Sequence, residues 1–269
     1  MTRPALRVAL DQGTGPSGDT DAALERLAER ARSAAASGAH LLITPEMSMT
    51  GYALAPDAIA DRAEPADGPL SRAVAGIAAR AGVAIVHGFP ERDGERVYNS
   101  VQLVGTHGTA LATYRKTHLF GDLDHGAFVP GEDLVVQTDL HGHRIGLLIC
   151  YDVEFPETVR AHALAGTELL VVPTALMAPD TAVASVLVPA RAMENRIHLA
   201  YVNRCDAESG LDYVGLSTLA GPDGAELLRA GRQEALLVAD LDAGAARAPS
   251  AEPSYLDDRR PDLYQSLSS

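Results

Sequence analysis

Cys150 ends an apolar run, Arg144-Ile145-Gly146-Leu147-Leu148-Ile149, that reads as a buried strand. It directly precedes Tyr151-Asp152-Val153-Glu154-Phe155-Pro156-Glu157, which reads as a turn opening a helix. A thiol at such a junction lies near a positive helix end and unpaired backbone N–H groups, which lowers its pKa and prepares a site for a developing oxyanion. That placement points to a nucleophile; the other reading is a buried core cysteine, since free Cys is among the most buried residue types. Thr44-Pro45-Glu46-Met47 sets an acid just past the run Leu41-Leu42-Ile43, where Pro45 ends ladder pairing. Tyr114-Arg115-Lys116-Thr117-His118 ends another strand with a cation. Taken singly, Glu46 and Lys116 read as solvated surface charges.

The elements that must position these groups follow from hydrophobic periodicity. Arg7 to Leu10 reads as a first strand, and Ala23, Leu24, Leu27, Ala28 and Ala31 recur at helical spacing until Gly38. Strands are expected at 41–43 and 83–86, with a helix opening at Pro69 and running to about Ala81. Val97 to Val104 and Leu111 to Tyr114 read as paired strands around the turn His107-Gly108. Further on, helices are expected near 156–164 and 181–195, and strands at 169–172, 199–202, 214–219 and 235–238. Ser37 to Pro45 and Ala165 to Pro173 resemble each other: both run through a Gly turn into an apolar strand closed by Pro. Two similar halves, each a sheet with helices on one side, would pack sheet against sheet in a four-layer α-β-β-α sandwich. Chance similarity of a common unit is the alternative.

Composition narrows the function. The chain has 269 residues, 46% hydrophobic and 22% charged, with a formal net charge of -14 that repels phosphate backbones and anionic lipids. Nucleic-acid binding and membrane association are not expected. No apolar run is long enough to cross a bilayer and the N-terminus lacks a secretory pattern, so a cytoplasmic protein is expected. The two cysteines, Cys150 and Cys205, lie far apart without CxxC spacing, and His141-Gly142-His143 has no accompanying ligand pattern. No metal is expected. A domain at 1–244 is expected to be followed by a tail at 245–269, rich in Pro, Asp and Arg, whose Tyr255, Leu256, Leu263 and Tyr264 would let it dock rather than hang free.

Together, Pro45-Glu46-Met47 with Gly51-Tyr52, Tyr114-Arg115-Lys116-Thr117-His118, and Cys150-Tyr151-Asp152 with Phe155-Pro156-Glu157 resemble the three ordered motifs of the nitrilase superfamily of carbon-nitrogen hydrolases. Ala190 to Arg196, Tyr201-Val202-Asn203-Arg204, Gly215-Leu216-Ser217, Gly221 to Gly224 and Asp257 to Pro261 look like the family's later motifs and tail, so the resemblance spans nearly the whole chain. It implies the same α-β-β-α sandwich, usually paired into a homodimer with sheets extended across the interface, where the tail is expected to dock; no cofactor is expected. It also implies catalytic roles for Glu46, Lys116 and Cys150. Asp124, ahead of Phe128-Val129-Pro130-Gly131, best matches a second acid that is more often Glu in the family; Asp122 is the alternative, and either could be a solvated loop acid.

The implied chemistry is acyl transfer. Glu46 takes the thiol proton, Cys150 attacks the carbonyl carbon, Lys116 and the Tyr151 backbone N–H hold the oxyanion, and water opens the thioester. A close cation is expected to favour both the thiolate and ionised Glu46. Cys150-Tyr151-Asp152 resembles amidases more than true nitrilases. Glu154 stands where relatives acting on carboxylate-bearing substrates often carry Arg, so a neutral or amino-bearing carboxamide is expected, with carbamoyl hydrolase, omega-amidase and nitrilase activities as alternatives. Exposure of Glu154 at a helix start is the plain reading. Tyr52, Phe128, Tyr151 and Met177 are candidate pocket walls or ordinary core, and Cys205 reads as structural. Outside catalysis, an inactive scaffold that keeps the fold, or a redox sensor at Cys150, would be the competing classes.

Overall fold

The computed structural model describes residues 4–15, 18–242 and 255–265. The chain runs β1 (Leu6–Gln12), α1 (Thr20–Ala36), β2 (Leu41–Ile43), α2 (Pro56–Arg62), α3 (Pro69–Ala81), β3 (Ala84–Asp93), β4 (Arg96–Val104), β5 (Ala110–Arg115) and α4 (Gly121–His125). It continues through β6 (Val136–Leu140), β7 (His143–Leu147), α5 (Pro156–Leu164), β8 (Leu169–Pro173), α6 (Val188–Asn195) and β9 (His198–Val202). A two-residue hairpin, β10 (Ala207–Glu208) and β11 (Leu211–Asp212), precedes β12 (Thr218–Ala220), β13 (Glu226–Arg229) and β14 (Ala235–Leu241).

Two six-stranded sheets form, ordered β14-β1-β2-β3-β4-β5 and β13-β12-β9-β8-β7-β6. Alternation decides which face goes where. On β1, Leu6, Val8 and Leu10 point into the core between the sheets, whereas Ala9 faces Leu27 and Ala31 of α1 and Val74 of α3. Helices α5 and α6 cover the second sheet through Val159, Val188 and Ala192. The result is the four-layer sandwich anticipated from burial logic. Each fully buried Leu, Ile or Val adds about 1.5–3 kcal/mol. The two similar stretches enter β2 and β8, the middle strands of two parallel trios, β1-β2-β3 and β7-β8-β9.

Some elements depart from the periodicity. The helix expected over 181–195 opens into a wide i→i+5 turn at Val183–Leu187 before α6. Pro189, which has no N–H to give, accounts for the slipped ladder. The strand expected over 214–219 pairs only from Thr218, because Gly215 and Leu216 adopt positive φ. Helix α2 and strands β6 and β13 were not evident in the sequence pattern. No helix among the described residues is long and apolar enough to cross a membrane. The 244/245 boundary lies outside the described residues; of the tail, Tyr255, Leu263 and Tyr264 are exposed in the single chain.

Candidate active site

Glu46, Lys116 and Cys150 each follow a strand, and the sandwich brings them to one end of the two sheets. Glu46 lies in the turn after β2, pressed onto β3. A Cβ on Gly88 would meet the Met47 backbone N at 2.5 Å, so this approach requires glycine. Lys116 follows β5, fixed by its N–H on Asn99 O at 2.9 Å and its carbonyl under Gly131 N at 2.8 Å. Cys150 opens a 3-10 turn, Cys150–Glu154, with φ +45, a left-handed conformation that costs a non-glycine residue about 1–3 kcal/mol.

Asp152 holds that turn in place. Its buried carboxylate accepts from Ile149 N at 3.0 Å, Tyr114 Oη at 2.9 Å, His118 N at 2.9 Å and Thr117 Oγ1 at 3.0 Å, with His118 Nδ1 at 2.9 Å. One side chain therefore ties the cysteine turn to the loop carrying Lys116. The sequence shows Asp152 only as part of a motif; its partners come from a distant segment.

Lys116, Glu46 and Asp124 are all fully buried. Lys116 Nζ donates to Glu46 Oε1 at 2.8 Å and to Asp124 Oδ2 at 2.6 Å. Asn99 Nδ2 also donates to Glu46 Oε1, at 2.7 Å, and Tyr52 Oη and Phe120 N complete the shell of Asp124 at 2.8 and 2.9 Å. Asp122, the alternative second acid, is exposed on the outer side of α4. Of the four carboxylate oxygens around Lys116, only Glu46 Oε2 is buried with no partner.

Two acids and one cation share this buried cluster. Burial raises the Glu46 carboxyl above its usual range, with Lys116 opposing and Asp124 reinforcing. For Lys116, burial works to lower the pKa, but the charges of Glu46 and Asp124 hold it well above normal. Burial first, then the charge of Glu46, pushes the Cys150 thiol up despite Lys116. Lys116 acts on Glu46 and Cys150 in the expected direction, favouring their charged forms, but the sequence expectation of a net lowered thiol is corrected. The helix proper starts only at Pro156, and desolvation outweighs the single cation.

Beside Cys150 lies a cavity of about 270 Å³, lined by Tyr52, Phe120, Glu154, Leu176, Met177 and Asp180 among others. Of the anticipated wall residues Tyr52 and Met177 line it, as does Glu154, the expected substrate contact, whereas Tyr151 does not. Phe128 is not among the lining residues; it packs in a small apolar cluster with Met47, Ile59, Leu119 and Tyr213 behind the cavity. Tyr151 stacks edge-on against Phe120 and Phe155. Cys205 is remote, with its thiol raised by burial to about 11 and Sγ 3.9 Å from Gln12 O. Asn99 and Asp180 had no sequence signal, being single polar residues outside any motif.

Residues 7–249 match the family model described as Carbon-nitrogen hydrolase. The chain is 47% identical over 265 residues to a Pseudomonas protegens protein called "Hydrolase in pqqF 5'region", covering 98% of this chain and 92% of that one. It is 38% identical over 256 residues to an (R)-stereoselective amidase of Pseudomonas sp, covering 95% and 92%. Among solved structures, variants of the Nesterenkonia sp. AN1 amidase superpose with TM-score 0.85 at 36% identity, covering 98% of this chain and 97% of theirs. One shows covalent addition of the acetamide moiety of fluoroacetamide at the active site cysteine; another is in complex with butyramide.

Proposed function

The chain belongs to the carbon-nitrogen hydrolase family, in its amidase-like part, and on that premise we propose that it hydrolyses a small neutral or amino-bearing carboxamide through a thioester on Cys150. The observation that carries this reading is the free oxygen of Glu46. Within the Lys116 cluster, Oε2 is the one buried carboxylate oxygen left without a partner, and after burial the charge of Glu46 is the main influence on Cys150.

Since the resting thiol is protonated, its proton leaves as the bond forms. Glu46 accepts it while Sγ adds to the carbonyl carbon, and the C=O electron pair moves onto oxygen. Lys116 and the backbone N–H of Tyr151 receive that oxyanion. Glu46 then passes the proton to the amide nitrogen, the C–N bond breaks, and ammonia departs from a thioester. Water loses a proton to Glu46 as its oxygen attacks; collapse expels the sulfur, which recovers the proton. The acid and the free thiol result, with no external reagent besides water. Asp124 keeps Lys116 protonated and fixed through both acylation and deacylation.

Butyramide bound to the Nesterenkonia amidase supports small aliphatic amides as the substrate class, and a cavity of about 270 Å³ accommodates them. We also propose that the protein acts as a homodimer whose second copy covers Tyr255, Leu263 and Tyr264, exposed in the single chain. Ammonia release from amides, nitriles and carbamoyl compounds, together with the mass of the acyl group trapped on Cys150, tests the assignment. Turnover unchanged in Cys150→Ala would overturn it.

A further inference from the structure

The cavity beside Cys150 is also lined by two acids that the proposed hydrolytic steps do not use. Glu154 ends the 3-10 turn that Cys150 begins. Its backbone is clamped by Arg191 Nη2 on its carbonyl at 2.8 Å, while Arg191 Nε holds Val153 O at 3.2 Å. Among the described residues the Glu154 carboxylate has no hydrogen-bond or ion-pair partner, although the residue is about half buried. Asp180 lies on the same cavity. Its turn is closed by Asp180 N on Met177 O at 3.1 Å and pinned by Ala178 N on Asp212 O at 2.8 Å. Asp180 Oδ1 accepts from Ala182 N at 3.0 Å.

Among the described residues no Lys or Arg lines this cavity. The nearest cations are committed elsewhere: Lys116 to Glu46 and Asp124, and Arg191 to Glu194 Oε1 at 3.1 Å and the two backbone carbonyls. A half-buried carboxylate with no partner beside a second acid is unfavourable in the empty protein. Burial, then the charge of Asp180, accordingly raises the Glu154 carboxyl. A ligand cation would reverse that cost. The remaining large side chains of the lining are apolar, Leu176 and Met177, and aromatic, Tyr52 and Phe120. They suit a methylene spacer, and the exposed Phe120 ring offers a face to an ammonium.

We infer that Glu154 and Asp180 form an ammonium subsite, so that the preferred substrate is an aliphatic carboxamide carrying a protonated amine on its acyl chain. The inference rests on the amidase reading above and narrows it. It predicts discrimination against carboxylate-bearing amides by repulsion, and against neutral amides because the pair of acids stays uncompensated.

The experiment compares, at pH 7, a series of amino-amides from glycinamide to 5-aminopentanamide, each against the uncharged amide in which methyl replaces the ammonium, with glutaramate as the anionic probe. For at least one chain length the amino-amide is expected to exceed its neutral isostere by about tenfold or more in kcat/KM, through KM, with glutaramate the poorest substrate. Within each variant the amino-to-neutral ratio is the readout. Glu154→Gln and Asp180→Asn should each lower it about tenfold, Glu154→Asp should keep much of it, and Glu154→Lys should invert the preference toward glutaramate. Ratios near one throughout the series, or ratios that the Gln and Asn variants leave unmoved, would overturn the subsite while the amidase reading stands. Absence of ammonia release from every amide would instead overturn the amidase reading, and the subsite with it.

Discussion

Lys116 stands closer to Asp124 than to Glu46, 2.6 Å against 2.8 Å, with all three side chains fully buried. The cation is thus shared between two carboxylates, Glu46 and Asp124. Asp124 reaches because α4 is a single short turn whose entering Phe120 N also grips the same carboxylate. The arrangement fixes Lys116 as a charged donor and leaves one oxygen of Glu46 for proton transfer.

Removing that second partner should loosen the cluster. Asp124→Asn is expected to lower kcat by about tenfold to a hundredfold, and to destabilise the fold by a few kcal/mol, about 3–5 for a broken buried pair. Steady-state ammonia release and urea unfolding read the two effects separately. Wild-type kcat in this variant would show that Asp124 is dispensable.

The raised thiol makes a chemical prediction. Without substrate, Cys150 should react slowly with iodoacetamide at pH 7, its rate climbing as pH passes above the ordinary thiol range. Glu46→Gln removes the negative charge that raises it and leaves Lys116 less compensated, so the alkylation profile should move to lower pH. Turnover in the same variant should fall by about a hundredfold or more, since the base is gone. A profile that moves upward, or stays put, would contradict the electrostatics described.

Gly88→Ala tests the seating of Glu46. The new Cβ would lie 2.5 Å from the Met47 backbone N and 3.2 Å from the Glu46 carbonyl carbon, so the turn must shift away from β3. Since a misplacement of about 1 Å can cost about a hundredfold in rate, kcat should fall by that order while circular dichroism stays native-like. Full activity would mean the turn is free to relax.

Stability should change with pH in a definite direction. Burial lowers His87 and His162 to about 4, so from the unfolded value near 6.5 down to 4 the unfolded chain binds their protons and the folded chain does not. Stability is therefore lost as pH falls through that window. Asp11 opposes them: burial raises it to about 6, so below that the folded chain gains its proton first. His40 and His198, also lowered by burial, add to the loss, while Glu46 and Glu154, raised by burial, oppose it alongside Asp11. In urea unfolding at stepped pH, Asp11→Asn removes one opposing proton and should steepen the loss of stability between pH 6 and 4 by about 1.4 kcal/mol per pH unit; an unchanged slope would contradict the raised Asp11.

Sequence alone determined the outline. The alternation of Leu6, Val8 and Leu10 and the helical spacing of Ala23, Leu27 and Ala31 set which faces are buried, because strand and helix periods are local properties of the backbone. The ordered segments around Glu46, Lys116 and Cys150 carried the family resemblance for the same reason: each motif is contiguous. Tertiary structure decided the rest. It separated buried Asp124 from exposed Asp122, put Phe128 behind the cavity, brought Asn99 onto Glu46, and placed Asp180 beside Glu154. It also raised the thiol that its place in the chain suggested would be lowered. Burial and Coulomb energy depend on distances between side chains from strands far apart in the chain, and no spacing within a single motif encodes those distances.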